Sequence, residues 1–91
     1  MNAVDLSNFT SFRELDVQYA QDKGWAFKRF KHLNTELVEG EDYVWFHQLD
    51  DAKLINQLRE AGRIYASTAN LVMLSPSGTT KITQDLSNSS T

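Results

Sequence analysis

The ten residues from Lys23 to His32 hold four of the chain's nine lysine and arginine side chains, with three aromatic residues between them. Lysine and arginine bind phosphate oxygens, whereas aromatic rings cover apolar surface or stack on nucleobases. The stretch contains no acid, although the formal net charge of the chain is −3. This local concentration of positive charge predicts a surface for an anionic partner, and double-stranded DNA is the leading hypothesis.

We expect the DNA contacts to come from this segment and from one arginine further along the chain. The candidate DNA-binding residues are Lys23, Phe27, Lys28, Arg29, Lys31, His32, Thr35 and Arg63. Lys28 and Lys31 are the central phosphate contacts, and Thr35 can hydrogen-bond a phosphate or a base edge. The alternative for the basic residues is the solvated face that any amphipathic helix carries. Arg29 can instead pair with Glu14 or with an acid of the segment 36–42, and for Phe27 both packing and DNA contact remain open.

The sequence contains no recognisable catalytic or metal-binding motif. Cysteine is absent, and the two histidines lie fifteen positions apart without clustered carboxylates, so neither a thiolate site nor a zinc site is expected. Glu39, Glu41 and Asp42 are interpreted as a turn that leads into a strand. No serine has a histidine and an aspartate arranged as a catalytic triad. We therefore expect no enzymatic activity, no cofactor and no metal.

The charge of the chain is divided between two neighbouring segments. Residues 13–33 carry five bases against three acids, and residues 34–62 carry seven acids against two bases. Within the second segment, residues 36–51 contain six acids and no lysine or arginine. This composition supports a second hypothesis of a different class, in which the acidic segment 36–51 captures a basic protein partner, as an antirepressor or a DNA mimic would.

Two consecutive helices are predicted to position the basic residues. Ser11 and Glu14 have the spacing of a capping box before a helix over 12–21, and Gly24 marks the turn that follows. A second helix over 25–37 has one apolar stripe, formed by Ala26, Phe30, Leu33 and Leu37. Its opposite side carries the lysines. This arrangement predicts a helix-turn-helix whose second helix enters the major groove.

The rest of the chain predicts a small sheet around a third helix. The expected elements are a strand over 43–48, a helix from a cap at Asp50 or Asp51 to Gly62, strands over 63–66 and 70–74, and one or two helical turns over 77–82. The predicted fold is α+β, a winged helix-turn-helix of three main helices and a small antiparallel sheet. Its wing is the 65–71 hairpin or the 39–42 turn. The domain spans 11–82, between a flexible lead-in at 1–10 and a disordered polar tail at 83–91.

Three short motifs carry a family resemblance. They are Phe12-Arg13-Glu14-Leu15, Glu39-Gly40-Glu41-Asp42-Tyr43, and Leu74-Ser75-Pro76-Ser77-Gly78 with Lys81-Ile82. Over about residues 11–82 the chain resembles the N-terminal DNA-binding domains of phage antirepressors and related phage regulators, from which its acidic middle departs. The resemblance implies a phage or prophage transcriptional regulator that binds specific DNA sequences.

Partner and location follow from size and hydropathy. One such module makes few DNA contacts, so we expect a homodimer on paired half-sites, with the third helix or the 70–74 strand as its interface. No apolar run reaches membrane-spanning length, and no signal peptide precedes the domain. We therefore expect a soluble cytoplasmic protein with no membrane partner.

Overall fold

The computed structural model describes residues 6–89 of the chain, with side chains described for residues 6–84, and it begins with the two expected helices. Helix α1 spans Phe12–Gln18 and helix α2 spans Trp25–His32. The capping box is confirmed, because the Glu14 N–H donates to the Ser11 hydroxyl (3.0 Å) and the Ser11 N–H donates to the Glu14 carboxylate (2.8 Å). Both helices are shorter than predicted. After α1 the backbone of Ala20 turns left-handed (φ +54°), and α2 is followed by a 3₁₀ turn.

The sheet has two antiparallel strands, β1 (Tyr43–Phe46) and β2 (Leu71–Leu74). The predicted pairing of 63–66 with 70–74 is wrong, because β2 pairs with β1, and 63–66 is not a strand. The other edge of β2 is joined by Thr10, whose N–H and C=O both bond to Leu74 at 2.8 Å. The backbone of Arg63 is used elsewhere, since its N–H ends the preceding helix and its carbonyl accepts from the Ser11 hydroxyl. The 65–71 wing hairpin is therefore absent.

Helix α3 (Ala52–Glu60) ends at the predicted glycine. Gly62 has a φ of +77°, its N–H bonds to the Arg59 carbonyl, and the Arg63 N–H bonds back to the Leu58 carbonyl at 3.0 Å. These two bonds form a Schellman motif. Asp51 occupies the N-cap position but makes no capping bond with its side chain. Its carboxylate instead accepts from the N–H of His47 (2.9 Å), so it closes the turn between β1 and α3.

The apolar core lies on both sides of the sheet, because alternate residues of β2 point in opposite directions. Leu71 and Met73 pack with Phe46 of β1 and with the apolar side of α3. Leu74 belongs to the cluster that joins α1, α2 and the last helix. All four residues of the predicted apolar stripe pack in this cluster, although Leu33 and Leu37 lie beyond the end of α2. Leu6 is buried in the first cluster and Phe9 packs against it, so part of the lead-in predicted over 1–10 contacts the core; its flexibility stays a prediction, and residues 1–5 lie outside the described residues.

Helix α4 (Pro76–Ser89) covers the second cluster through the fully buried Ile82. It is longer than the one or two turns expected over 77–82. Its backbone continues through residue 89, into the segment for which a disordered tail was predicted, and residues 90–91 lie outside the described residues. The described chain is thus α+β, with four helices and one two-stranded antiparallel sheet. Within it, none of the helices is long and apolar enough to cross a membrane.

Candidate nucleic-acid interface

Helix α2 turns its apolar side to the core and its cations to solvent. Ala26 is fully buried, whereas Phe27, Lys28, Lys31 and His32 are exposed and together form what we call the α2 face. The ammonium of Lys31 lies 5.3 Å from the centre of the Phe27 ring, so the aromatic and basic groups share one surface. In the described part of the chain, neither Lys28 nor Lys31 makes a salt bridge. The structure therefore brings the central predicted residues together and leaves their charge available.

The start of α2 is held by a buried carboxylate that sequence analysis did not single out. Asp16 is 1% exposed and accepts hydrogen bonds from the N–H groups of Gly24 (3.0 Å) and Ala26 (2.8 Å). An acid at this position satisfies free amides and interacts favourably with the helix dipole. The sequence does contain a signal for this role, because Asp16 lies beside Phe12 on the apolar side of α1. Since the first amides of α2 already bind Asp16, contact with phosphate falls to the side chains.

Tyr65, which is distant from Asp16 in the sequence, also hydrogen-bonds the Asp16 carboxylate. Its hydroxyl donates to Asp16 at 2.6 Å. Burial and the hydrogen bond to the Asp16 carboxylate raise the pKa of Tyr65 to about 12, so the hydroxyl stays protonated as a donor. Segment 63–66 therefore contributes to the orientation of α2, although it is not the strand that its composition predicts.

Arg29 and Lys23 both contact parts of the fold outside α2. The Arg29 side chain donates from Nε to the Ile82 carbonyl (2.9 Å), and its guanidinium lies 5.3 Å from the Trp25 ring centre. It therefore anchors α2 to α4 rather than belonging to the α2 face. Lys23 is exposed just before α2, and its ammonium donates to the Ser67 hydroxyl at 3.0 Å. Thr35 is exposed just beyond the other end of α2.

Arg63 is a structural residue in this fold. Its guanidinium makes a two-pronged salt bridge with Glu14 (2.8 and 3.0 Å) and donates to the carbonyls of Leu6 (3.3 Å) and Phe9 (2.6 Å). The hydrogen bond with Glu14 raises the pKa of Arg63. Burial opposes ionisation of Glu14, but the hydrogen bonds from Arg63 and Ser11 outweigh it and lower the pKa of Glu14. The prediction that Arg63 contacts DNA from a wing is not supported, because its donors tie the N-terminal segment to α1.

The acidic segment 36–51 exposes less charge than its sequence indicates. Asp42 is 2% exposed and accepts from the Lys81 ammonium (2.7 Å), the Ser77 hydroxyl (2.7 Å) and the Val38 N–H (2.9 Å). These hydrogen bonds, with that of Lys81 the strongest, lower the pKa of Asp42 to about 2. The Asp51 carboxylate accepts from the N–H of His47 in the turn after β1. The exposed acids of the segment are Glu36, Glu39, Glu41 and Asp50.

Two of the motifs that carry the family resemblance pack directly against each other. The Ser75 hydroxyl donates to the Glu41 carbonyl (2.7 Å), and the Ser75 N–H donates to the Asp42 carbonyl (2.9 Å). A Cβ atom at Gly78 would lie 2.8 Å from the carbonyl carbon of Asp42 and closer still to its oxygen. Only glycine permits this approach without a shift of the backbone. These motif residues hold the start of α4 on the turn before β1, and the α2 face lies outside them.

A groove lies on either side of α2. One has a volume of about 670 Å³, is bounded by α2 and α4, and includes Lys28, His32, Glu36 and Lys81 in its wall. The other, of about 500 Å³, lies between the start of α2 and segment 65–70. Among the described residues, no group of three histidines, cysteines or acids is arranged to hold a metal ion.

Comparisons with known proteins add no functional assignment to this geometry. No protein-family model, curated protein or solved structure matches the chain. A function must therefore be argued from the α2 face and its surroundings.

Proposed function

We propose that the protein is a DNA-binding transcriptional regulator of phage or prophage type, with a winged-helix-like fold that places α2 in the major groove. The observation that supports this most is the α2 face itself. It carries Lys28, Lys31 and His32 with no acid from Lys23 to Thr35, in a chain with a net charge of −3. Surface helices without a polyanionic partner ordinarily mix both signs of charge, and the B-DNA major groove is wide enough to admit a helix.

The residues of the α2 face and Thr35 make three kinds of DNA contact in this proposal. Lys28 and Lys31 neutralise phosphates on the two sides of the groove, and His32 and Thr35 donate to phosphate or base-edge oxygens. Phe27 supplies an apolar contact of the kind that a thymine methyl group accepts. Helix α1 packs on α2 and, with Asp16, determines the angle at which α2 projects.

A homodimer on paired half-sites is part of the proposal, but its interface differs from the two expected ones. All four residues of β2 are buried, and the apolar residues Ile55 and Leu58 of α3 face the core. These apolar side chains are therefore covered within the fold and are not available to a second copy. Exposed large apolar side chains that lie outside both the α2 face and the sheet include those of Val17 and Val38.

The alternative, in which segment 36–51 captures a basic protein, has less support. Two of its six acids, Asp42 and Asp51, bond to groups within the fold. Of those that remain exposed, Asp50 is separated by β1 from Glu36, Glu39 and Glu41. The segment is thus not one continuous acidic face.

A gel-shift titration with mixed-sequence duplex DNA tests the proposal. We expect retardation that weakens as salt is raised and disappears in the double variant Lys28→Glu, Lys31→Glu. Lys53→Glu makes the same change of charge at an exposed position of α3. It is the matched control and should retain binding. Absence of retardation by the wild-type protein even at low salt would refute the proposal, and a pull-down with basic proteins would then test the acidic segment.

A further inference from the structure

The groove between the start of α2 and segment 65–70, which we call the aromatic groove, has the residues of a nucleobase-binding surface. Its wall includes Phe27, Trp45 and Tyr65, together with the cations Arg13 and Lys23. Phe27 is 46% exposed and Trp45 is 50% exposed. Large aromatic side chains are usually covered in a domain of this size, so two half-exposed rings in one groove need an explanation.

The charge of the aromatic groove is one-sided. Its wall, taken over the described residues, contains two cations and no acid, whereas the whole chain is negative. Ser67, Thr68 and Asn70 contribute hydroxyl and amide groups to the wall. Aromatic platforms beside cations and neutral donors are the combination with which proteins bind unpaired nucleotides. A basic protein segment would meet repulsion here, and an acidic one would leave the exposed rings without a matching apolar group.

The groups that would receive a strand are held in place by the fold. Trp45 lies in β1 opposite Val72, so the sheet fixes its backbone. The ring of Phe27 is 5.7 Å from that of Phe12. The Lys23 ammonium lies 5.0 Å from the centre of the Tyr65 ring and donates to a neutral hydroxyl, that of Ser67, which a phosphate oxygen can replace.

We propose that the aromatic groove binds unpaired nucleotides of a single DNA strand, with bases on Trp45 and Phe27 and phosphates near Lys23 and Arg13. The choice of DNA rests on the proposed function. Phe27 belongs to both the α2 face and the aromatic groove, so a strand that leaves a duplex bound at α2 can enter the groove directly. The preferred ligand is therefore a duplex that continues into an unpaired strand.

Tryptophan fluorescence measures entry of a strand into the groove. In the variant Trp25→Phe, Trp45 is the remaining tryptophan, since the chain contains two. Titration with a short oligo(dT) strand should quench its emission, because a stacked base contacts the indole. Oligo(rU) of the same length should bind more weakly; tighter binding of RNA would overturn the assignment to DNA.

Paired DNA ligands measure the contribution of the groove to affinity. A duplex with a dT overhang should bind on the order of tenfold more tightly than the same duplex with blunt ends, as expected for one or two stacked bases. Trp45→Ala should remove this advantage and leave blunt-duplex affinity unchanged. Leu49→Ala, which shortens another exposed apolar side chain outside the groove, is the control and should keep the advantage.

The outcomes separate this inference from the proposed function. Equal affinity for overhang and blunt duplexes, with no quenching by oligo(dT), would overturn the groove and leave the α2 proposal standing. Binding of oligo(dT) without binding of blunt duplex would support the groove and refute the α2 proposal. If Trp45→Ala fails to fold, oligo(dT) binding by Lys23→Glu tests the groove instead, because Lys23 is exposed and the change introduces an acid into the groove. It should abolish oligo(dT) binding, whereas Lys53→Glu should not.

Discussion

The carboxylate of Asp16 in α1 accepts a 2.8 Å hydrogen bond from the backbone N–H of Ala26 in α2. Through this contact a buried acid at the end of one helix determines where the next helix begins. The N-cap residue Gly24 has no side chain to do so, and its φ of +95° leads the chain directly into α2. The orientation of the α2 face thus depends on a residue that cannot itself touch DNA.

Removal of this carboxylate should destabilise the whole domain. For Asp16→Ala we expect a loss of about 2 kcal/mol or more in the free energy of unfolding, because a helix cap is lost and the Tyr65 hydroxyl loses its acceptor. Urea denaturation measures the change. Asp22→Ala removes an exposed acid from the same turn and should stay within about 0.5 kcal/mol of wild type. Equal effects of the two changes would show that Asp16 has no special role.

Gly78 should resist a substitution that usually stabilises helices. Replacement of glycine by alanine within a helix ordinarily raises the free energy of unfolding by up to about 1 kcal/mol. Here a Cβ atom would overlap the backbone carbonyl of Asp42, so we expect Gly78→Ala to lower the free energy of unfolding by about 2 kcal/mol or more. Thermal unfolding measures it, with Thr80→Ala, at an exposed position of the same helix, as the control. A rise in melting temperature for Gly78→Ala would contradict the close packing of α4 on the turn.

Acid should remove the contribution of Asp42 to stability. Its pKa is about 2 in the folded protein, against 3.8 for an ordinary aspartate. Because the folded value is the lower one, ionised Asp42 stabilises the fold fully above about pH 4, and this contribution is lost as the pH falls towards 2. Asp42→Asn should therefore be less stable than wild type at neutral pH, with a difference that shrinks over this range. Urea denaturation at several pH values measures it, and a difference independent of pH would count against the Lys81–Asp42 pair as its cause.

The salt dependence of DNA binding should give the number of phosphates that the α2 face contacts. Each phosphate that a lysine neutralises adds about −0.9 to the slope of log affinity against log salt concentration. Lys28→Gln and Lys31→Gln should each reduce the magnitude of the slope by about 1, whereas Lys53→Gln should leave it unchanged. Fluorescence anisotropy with a labelled duplex at four salt concentrations measures these slopes. Unchanged slopes in both lysine variants would remove them from the DNA interface.

Arg63 should affect stability and not DNA affinity. Arg63→Gln breaks the salt bridge with Glu14 and leaves the carbonyls of Leu6 and Phe9 without their donor, so we expect a loss of about 1–3 kcal/mol in the free energy of unfolding. DNA affinity, measured where the variant is fully folded, should equal that of wild type. A selective loss of affinity with unchanged stability would restore Arg63 to the DNA-binding residues.

Local patterns in the sequence were sufficient to predict several features of the first three helices, but not the length of α4. The capping box at Ser11 and Glu14, the terminal glycine of α3 and the apolar stripe of α2 involve residues within a few positions of each other. Short-range hydrogen bonds and helical periodicity decide such features, so they can be predicted without knowledge of the fold. The same periodicity separated Phe30, which packs in the core, from the exposed Phe27, Lys28 and Lys31.

Strand pairing and the roles of individual charges depend on contacts between distant residues. Segment 63–66 has the composition of a strand, yet β2 pairs with β1, about thirty positions earlier in the chain. From the sequence, Arg63 and Asp42 are indistinguishable from surface charges. In the fold Arg63 pairs with Glu14, and Asp42 pairs with Lys81.

The sequence by itself determined the basic, acid-free face of one helix, because residue type and helical spacing are local properties. The tertiary structure alone decided that Asp16 positions this helix. It also decided that Arg63 belongs to the fold, and that Phe27 and Trp45 line one groove. The reason is physical: which groups meet across the chain depends on how the elements pack to bury their apolar surfaces, and no local pattern specifies that packing.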